Sequence, residues 1–170
     1  MVKAPPSISP DESRPDMTTA TKCSTPPILI VEDSPEDYEA TARTFRKASV
    51  TNSLFWCKDG DEALDYLFRR GRYADPDDAP RPGVILLNLN LPGTDGREVL
   101  AEIKRDQMLK RIPVIVLTTS VDDRDIQDCY EAGANTYVQK PVDLASFIES
   151  IQRLEDFWWQ IVLLPKGEAA

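Results

Sequence analysis

The segment ILIVEDSPED, residues 28–37, decides the fold. Its four apolar residues, Ile28–Val31, leave no polar face, so the run reads as a strand buried on both sides. It ends abruptly in two acids, Glu32 and Asp33. Ser34 is a helix-capping residue type and Pro35 fits a first helical position. The helix is expected to run to about Ala48. A doubly buried strand that passes straight into a helix is the first half of a parallel crossover.

The same unit recurs along the chain. Ser53–Cys57 reads as a strand, followed by a helix over Asp59–Arg70 with Ala63, Leu64, Leu67 and Phe68 on one face. Gly71–Gly83, rich in Asp and Pro, reads as a loop. Val84–Leu87 is another continuous apolar strand, and Asp95 caps a helix that turns Val99, Leu100 and Ile103 inward. Ile112–Leu117 is a strand, Asp122–Ala132 a helix stopped by Gly133, Asn135–Val138 a strand and Val142–Gln160 a helix. Five strand–helix units imply an α/β fold, a doubly wound (βα)5 arrangement with a five-stranded parallel sheet and helices on both faces. Residues 1–27 hold six of the fourteen prolines and few large apolar residues, so they read as a flexible tail.

Composition narrows the function. The 170 residues carry a net charge of −9, which argues against nucleic acid or an anionic membrane as the main partner. No apolar run approaches the ~18 residues of a membrane span, and no leader-like segment opens the chain. There is no histidine, which excludes Ser-His-Asp and Cys-His catalysis and His-ligated zinc. Cys23, Cys57 and Cys129 lie far apart and read as reduced thiols of a cytoplasmic protein.

In a doubly wound sheet, ligands bind beyond the carboxyl ends of the strands. The unusual polar residues fall there: Glu32 and Asp33, Asn88, Thr118 and Thr119, and Lys140 before Pro141. Adjacent carboxylates suit Mg²⁺, a hydroxyl can hold an anion's oxygens, and proline biases the residue before it away from helix. Each feature alone also fits a solvated cap or a turn. Together they describe a phosphoryl site with a divalent ion.

With these residues in place, the sequence resembles a response-regulator receiver domain from Ile28 to about Glu155. ILIVEDSPED, VILLNLNLPGTDG, IPVIVLTTS and GANTYVQKP carry the resemblance. It is closer still to the single-domain regulators of phytochrome-type histidine kinases, through NLNLPGTDGREVLAEIK, RIPVIVLTTS and the tail Phe157–Pro165. The resemblance implies a flavodoxin-like fold and a cytoplasmic signalling protein that is not an enzyme, carries no output domain and partners a sensor histidine kinase. It assigns Mg²⁺ to Glu32, Asp33, position 88 and the backbone carbonyl of Asn90, with Asp33 the direct carboxylate. It gives the phosphoryl oxygens to Thr118 and Lys140, and the aromatic switch position to Tyr137. The receiver is expected over 28–156.

The sequence departs from that pattern at its centre. The position that accepts the phosphoryl group is Asn88, whose amide is no nucleophile. The site also loses a negative charge, so Mg²⁺ binding is expected to weaken. Asn88 is either an engineered exchange that locks the protein unphosphorylated, or the mark of a natural pseudo-receiver that works by binding alone. Residues 157–170 carry a further expectation. Three consecutive aromatics and an aliphatic run are more apolar surface than a small domain leaves exposed, and relatives of this kind pair through such tails. A homodimer is expected, with Phe157, Trp158, Val162 and Leu163 in or beside its interface.

Overall fold

A computed structural model of the chain describes residues 25–47, 49–140 and 144–155. Five strands alternate with five helices in chain order: β1 (Ile28–Val31), α1 (Pro35–Lys47), β2 (Leu54–Cys57), α2 (Gly60–Phe68), β3 (Val84–Leu87), α3 (Gly96–Arg105), β4 (Val114–Thr118), α4 (Asp123–Glu131), β5 (Thr136–Gln139) and α5 (Leu144–Glu155). All strand pairs are parallel, and the sheet order is β2-β1-β3-β4-β5. The order reverses between β1 and β3, which places a crevice beyond their carboxyl ends.

Period-two alternation divides the core between the two faces of the sheet. Leu29 and Val31 of β1 join Ala63, Leu67, Val99, Leu100 and Ile103 of α2 and α3. Ile28 and Ile30 turn to the other face, with Phe45 of α1. Strands buried on both faces are why their sequences read as unbroken apolar runs.

The element ends correct several sequence expectations. The second helix stops at Phe68 rather than Arg70, because Arg69 takes a left-handed conformation (φ 54°) and its N–H closes on Asp65 and Tyr66 carbonyls. The fourth strand starts at Val114 rather than Ile112, since Leu109–Arg111 form a 3₁₀ turn that Ile112 closes. It also runs on to Thr118, which pairs with Gln139. A 3₁₀ turn, Gly71–Tyr73, interrupts the expected loop. Tyr66 donates to the Pro80 carbonyl at 2.8 Å and Arg81 donates to that of Leu67 at 2.8 Å, so this loop is tied to α2. Cys57 and Cys129 are buried free thiols, and burial pushes Cys57 up to about 12.

No helix among the described residues is long and apolar enough to cross a membrane. Of the tail expected over 1–27, residues 1–24, Cys23 among them, lie outside the described residues, while the Pro26 carbonyl accepts from Asn52 Nδ2 at 2.6 Å and the Pro27 carbonyl from Gly83 N–H at 2.8 Å. Pro141 and the interface residues Phe157, Trp158, Val162 and Leu163 also lie outside the described residues.

Candidate functional site

The carboxyl ends of β1, β3, β4 and β5 carry Glu32–Asp33, Asn88, Thr118 and Lys140 to one edge of the sheet. Glu32 continues the β1 ladder, its N–H bonded to the Cys57 carbonyl at 3.0 Å. Trp56 Nε1 donates to the Glu32 carbonyl at 2.7 Å, and its ring stacks on Tyr38 of α1 at 4.2 Å. Ser34 caps α1 as its sequence suggests, its Oγ accepting from Asp37 N–H at 3.2 Å.

Asn88 is the centre of the arrangement and is 8% exposed. Its Nδ2 donates to Asp33 Oδ1 at 3.1 Å, to Glu32 Oε1 at 3.3 Å and to the Asn90 carbonyl at 3.3 Å. The loop that presents Asn90 is held from below by close backbone approach. Gly96 N–H bonds the Leu89 carbonyl at 2.8 Å, and a Cβ at Gly96 would lie 2.2 Å from the Asn88 carbonyl oxygen. Only glycine fits there.

Lys140 Nζ is 5% exposed at its side chain and donates to Glu32 Oε2 at 2.5 Å and to Asp37 Oδ2 at 2.7 Å. Glu32 is therefore engaged at both oxygens, Oε1 also accepting from Ser34 N–H at 3.1 Å. Burial raises its carboxyl above the usual 4.5, and Lys140 draws it back. Asp33, by contrast, is exposed.

A second network lies beside Thr118. Its fully buried Oγ1 accepts from Ser120 N–H at 3.3 Å. Ser120 Oγ donates to Asp125 Oδ2 at 2.5 Å, and the Ser120 carbonyl accepts from the half-buried Tyr137 hydroxyl at 3.0 Å. Arg97 of α3 grips Asp125 of α4 through Nε at 3.0 Å and through a second nitrogen at 2.6 Å, and also bonds its own helix cap, Asp95. Arg97, then Ser120, hold the Asp125 carboxyl below its ordinary 3.8. A depressed value means that this contact stabilises the fold fully above that pH and is lost as pH falls through the lower, folded value. Denaturant titrations of the wild type and Arg97→Ala should therefore differ by up to about 1 kcal/mol near neutral pH. The two should converge as pH falls below the ordinary carboxyl range and Asp125 takes its proton.

The structure thus brings Glu32, Asp33, Asn88, Asn90 and Lys140 into direct contact, and sets Thr118 and Tyr137 in an adjoining network. Asp37, Ser120, Arg97 and Asp125 were not expected from the sequence. Asp37 left a signal in the S-x-x-D spacing after Ser34, which sets an acid in the first turn of a helix at the site's own end. Chemically, the site gathers hard oxygen donors, Glu32, Asp33 and the Asn90 carbonyl, of the kind that suit Mg²⁺. The point on which they converge is held by Asn88 Nδ2. With the amide turned this way the residues do not fit an ion. Among the described residues no group of three or more Asp, Glu, Cys or His could hold a metal.

Known proteins share this architecture. A family model described as the response regulator receiver domain matches residues 28–152. Response regulator Rcp1 from Synechocystis sp. is 43% identical over 144 residues, 84% of this chain and 96% of Rcp1. The crystal structure of the Mn²⁺-bound form of Rcp1 superposes with a TM-score of 0.78, at 42% identity, covering 83% of this chain and 99% of that one. The phosphorylated cyanobacterial phytochrome response regulator RcpA superposes with a TM-score of 0.79, at 41% identity, covering 84% and 99%.

Proposed function

The chain belongs to the response-regulator receiver family, and from that premise we propose that it docks on a sensor histidine kinase of the phytochrome type and signals without being phosphorylated at position 88. Asn88 stands where a receiver carries its phosphoaccepting aspartate. The observation that carries this reading is the three-way hydrogen bond of Asn88 Nδ2 to Glu32, Asp33 and the Asn90 carbonyl. The residue lies at the middle of the acidic corner, which supports reading it as the position of the attacking oxygen. A carboxamide oxygen carries no full charge and cannot attack a phosphohistidine.

The other residues keep their expected parts. Thr118 and Lys140 are the groups for phosphoryl oxygens. Glu32, Asp33, Asn88 and the Asn90 carbonyl occupy the corner that holds an ion in receivers with aspartate at position 88, here with a weakened hold, and Tyr137 is the switch aromatic that reports to the β4–α4 loop through Ser120. The receiver spans 28–156 and acts in the cytoplasm. Residues 1–27 are a tail, and 157–170 pair two copies through Phe157, Trp158, Val162 and Leu163. An apolar contact of that kind does not depend on phosphorylation.

The test uses the full chain and a phytochrome-type histidine kinase of the source organism, radiolabelled on its histidine. The chain should bind the kinase in isothermal titration, take no label, and sediment as a dimer at roughly 100 μM. Absence of binding, or stable label on an aspartate of this chain, overturns the reading.

A further inference from the structure

A primary amide carries two N–H protons on one side and a lone-pair oxygen on the other. Which side faces a neighbour is decided by what the neighbour can do. Around Asn88 the neighbours at 3.1–3.3 Å are two carboxylate oxygens and a backbone carbonyl, all acceptors. The NH₂ must face them, because the amide oxygen turned the same way would meet three oxygens with nothing between. Only a cation at the centre would make that second orientation favourable. The two states exclude each other.

We infer that the Asn88 amide group is an internal substitute for the divalent ion. Its two protons gather Glu32, Asp33 and the Asn90 carbonyl as Mg²⁺ would, and make the site's geometry independent of metal. Lys140 completes the arrangement on the far side, since it holds the second Glu32 oxygen and Asp37. An entering ion must displace both N–H groups from their three acceptors, one of them shared, rotate the amide and accept a neutral oxygen in place of a carboxylate. The inference rests on the receiver reading of this corner. It goes beyond the loss of a charge, because it gives the amide a positive task that a smaller neutral residue could not perform.

That difference supplies the test. Mn²⁺ binding is titrated by electron paramagnetic resonance on the full chain, on Asn88→Asp and on Asn88→Ala. Asn88→Asp should bind at least about 100-fold more tightly than the wild type. Asn88→Ala should also bind more tightly than the wild type, by about tenfold, because the competing protons are gone. It should melt higher in Mg²⁺ than in chelator, whereas the wild type should melt alike in both. If lost charge were the whole effect, Asn88→Ala would bind no better than Asn88, and that result overturns the inference. Should Asn88→Ala not fold, the wild-type Asn88 side-chain amide is followed by NMR. Its ¹H–¹⁵N signals should stay in place as Mg²⁺ is added, and displacement at low millimolar Mg²⁺ overturns the inference. None of these readouts involves the kinase, so failure here and failure of kinase docking are distinguishable.

Discussion

Asn88→Asp should take a phosphoryl group from acetyl phosphate in the presence of Mg²⁺, to near one per chain, while the wild type stays unlabelled. The change restores a charged oxygen at a point 3.1–3.3 Å from Asp33, Glu32 and the Asn90 carbonyl, where three acidic or carbonyl oxygens then need a cation rather than a proton donor. An ion held there by Glu32, Asp33, the introduced aspartate and the Asn90 carbonyl would offset the charge of an anionic donor and the charge that develops in transfer. Thr118 ends β4, the strand beside β3, and Lys140 follows β5, the next strand out. Loss of a catalytic nucleophile usually leaves only background reaction, so the contrast should be orders of magnitude. Acid-stable, base-labile label measured by filter binding and mapped by mass spectrometry provides the check. If Asn88→Asp takes no label, the pocket is not a working receiver pocket apart from that one residue.

Lys140→Met should be the most destabilising substitution at the site. Lys140 and Glu32 have side chains only 5% and 6% exposed. Removing the ammonium strands a carboxylate away from water, which typically costs about 3–5 kcal/mol. In a domain of this size that is a fall of roughly 10 °C or more in Tm. The deficit should depend on pH in a definite direction. Burial already raises Glu32, and the variant lacks the group that lowers it. A carboxyl whose folded value lies above its unfolded one loses stability as pH rises through that range. The deficit should therefore shrink toward pH 5 and reach its full size at pH 8. Adding Glu32→Gln should recover much of it, because no charge is then left buried. Differential scanning calorimetry across that pH range decides the matter. A constant deficit, or no recovery in the double variant, would show that packing rather than charge is responsible.

Much of this architecture was legible in the sequence because its strands are buried on both faces. Ile28–Val31 and Val84–Leu87 announce themselves by having no polar residue, and a polar residue, Glu32 or Asn88, ends each run. Boundaries set by a single backbone torsion were not legible. Arg69 in a left-handed conformation ends α2 where an arginine gives no sign of a stop. The strand-end residues were legible as a set because topology alone brings them to one edge. What they do to one another was not. The lysine's second partner, Asp37, comes from a helix turn, and the Arg97–Asp125 grip joins two helices that the sequence places 28 residues apart. Contacts of that range depend on how helices are seated on the sheet, and side-chain periodicity does not encode it.

The Glu32–Lys140–Asp37 group also bears on descent. A lineage that stops using phosphotransfer releases the nucleophile from selection at once. Lys140 is not released, because its ammonium compensates the buried Glu32 carboxylate whether or not a phosphoryl group ever arrives. Stability alone can thus preserve the larger part of a receiver pocket through a long silence. Asparagine and aspartate codons differ by a single base transition. In such a chain the road back to signalling by phosphate is one mutation long, and purifying selection for a folded protein keeps it open.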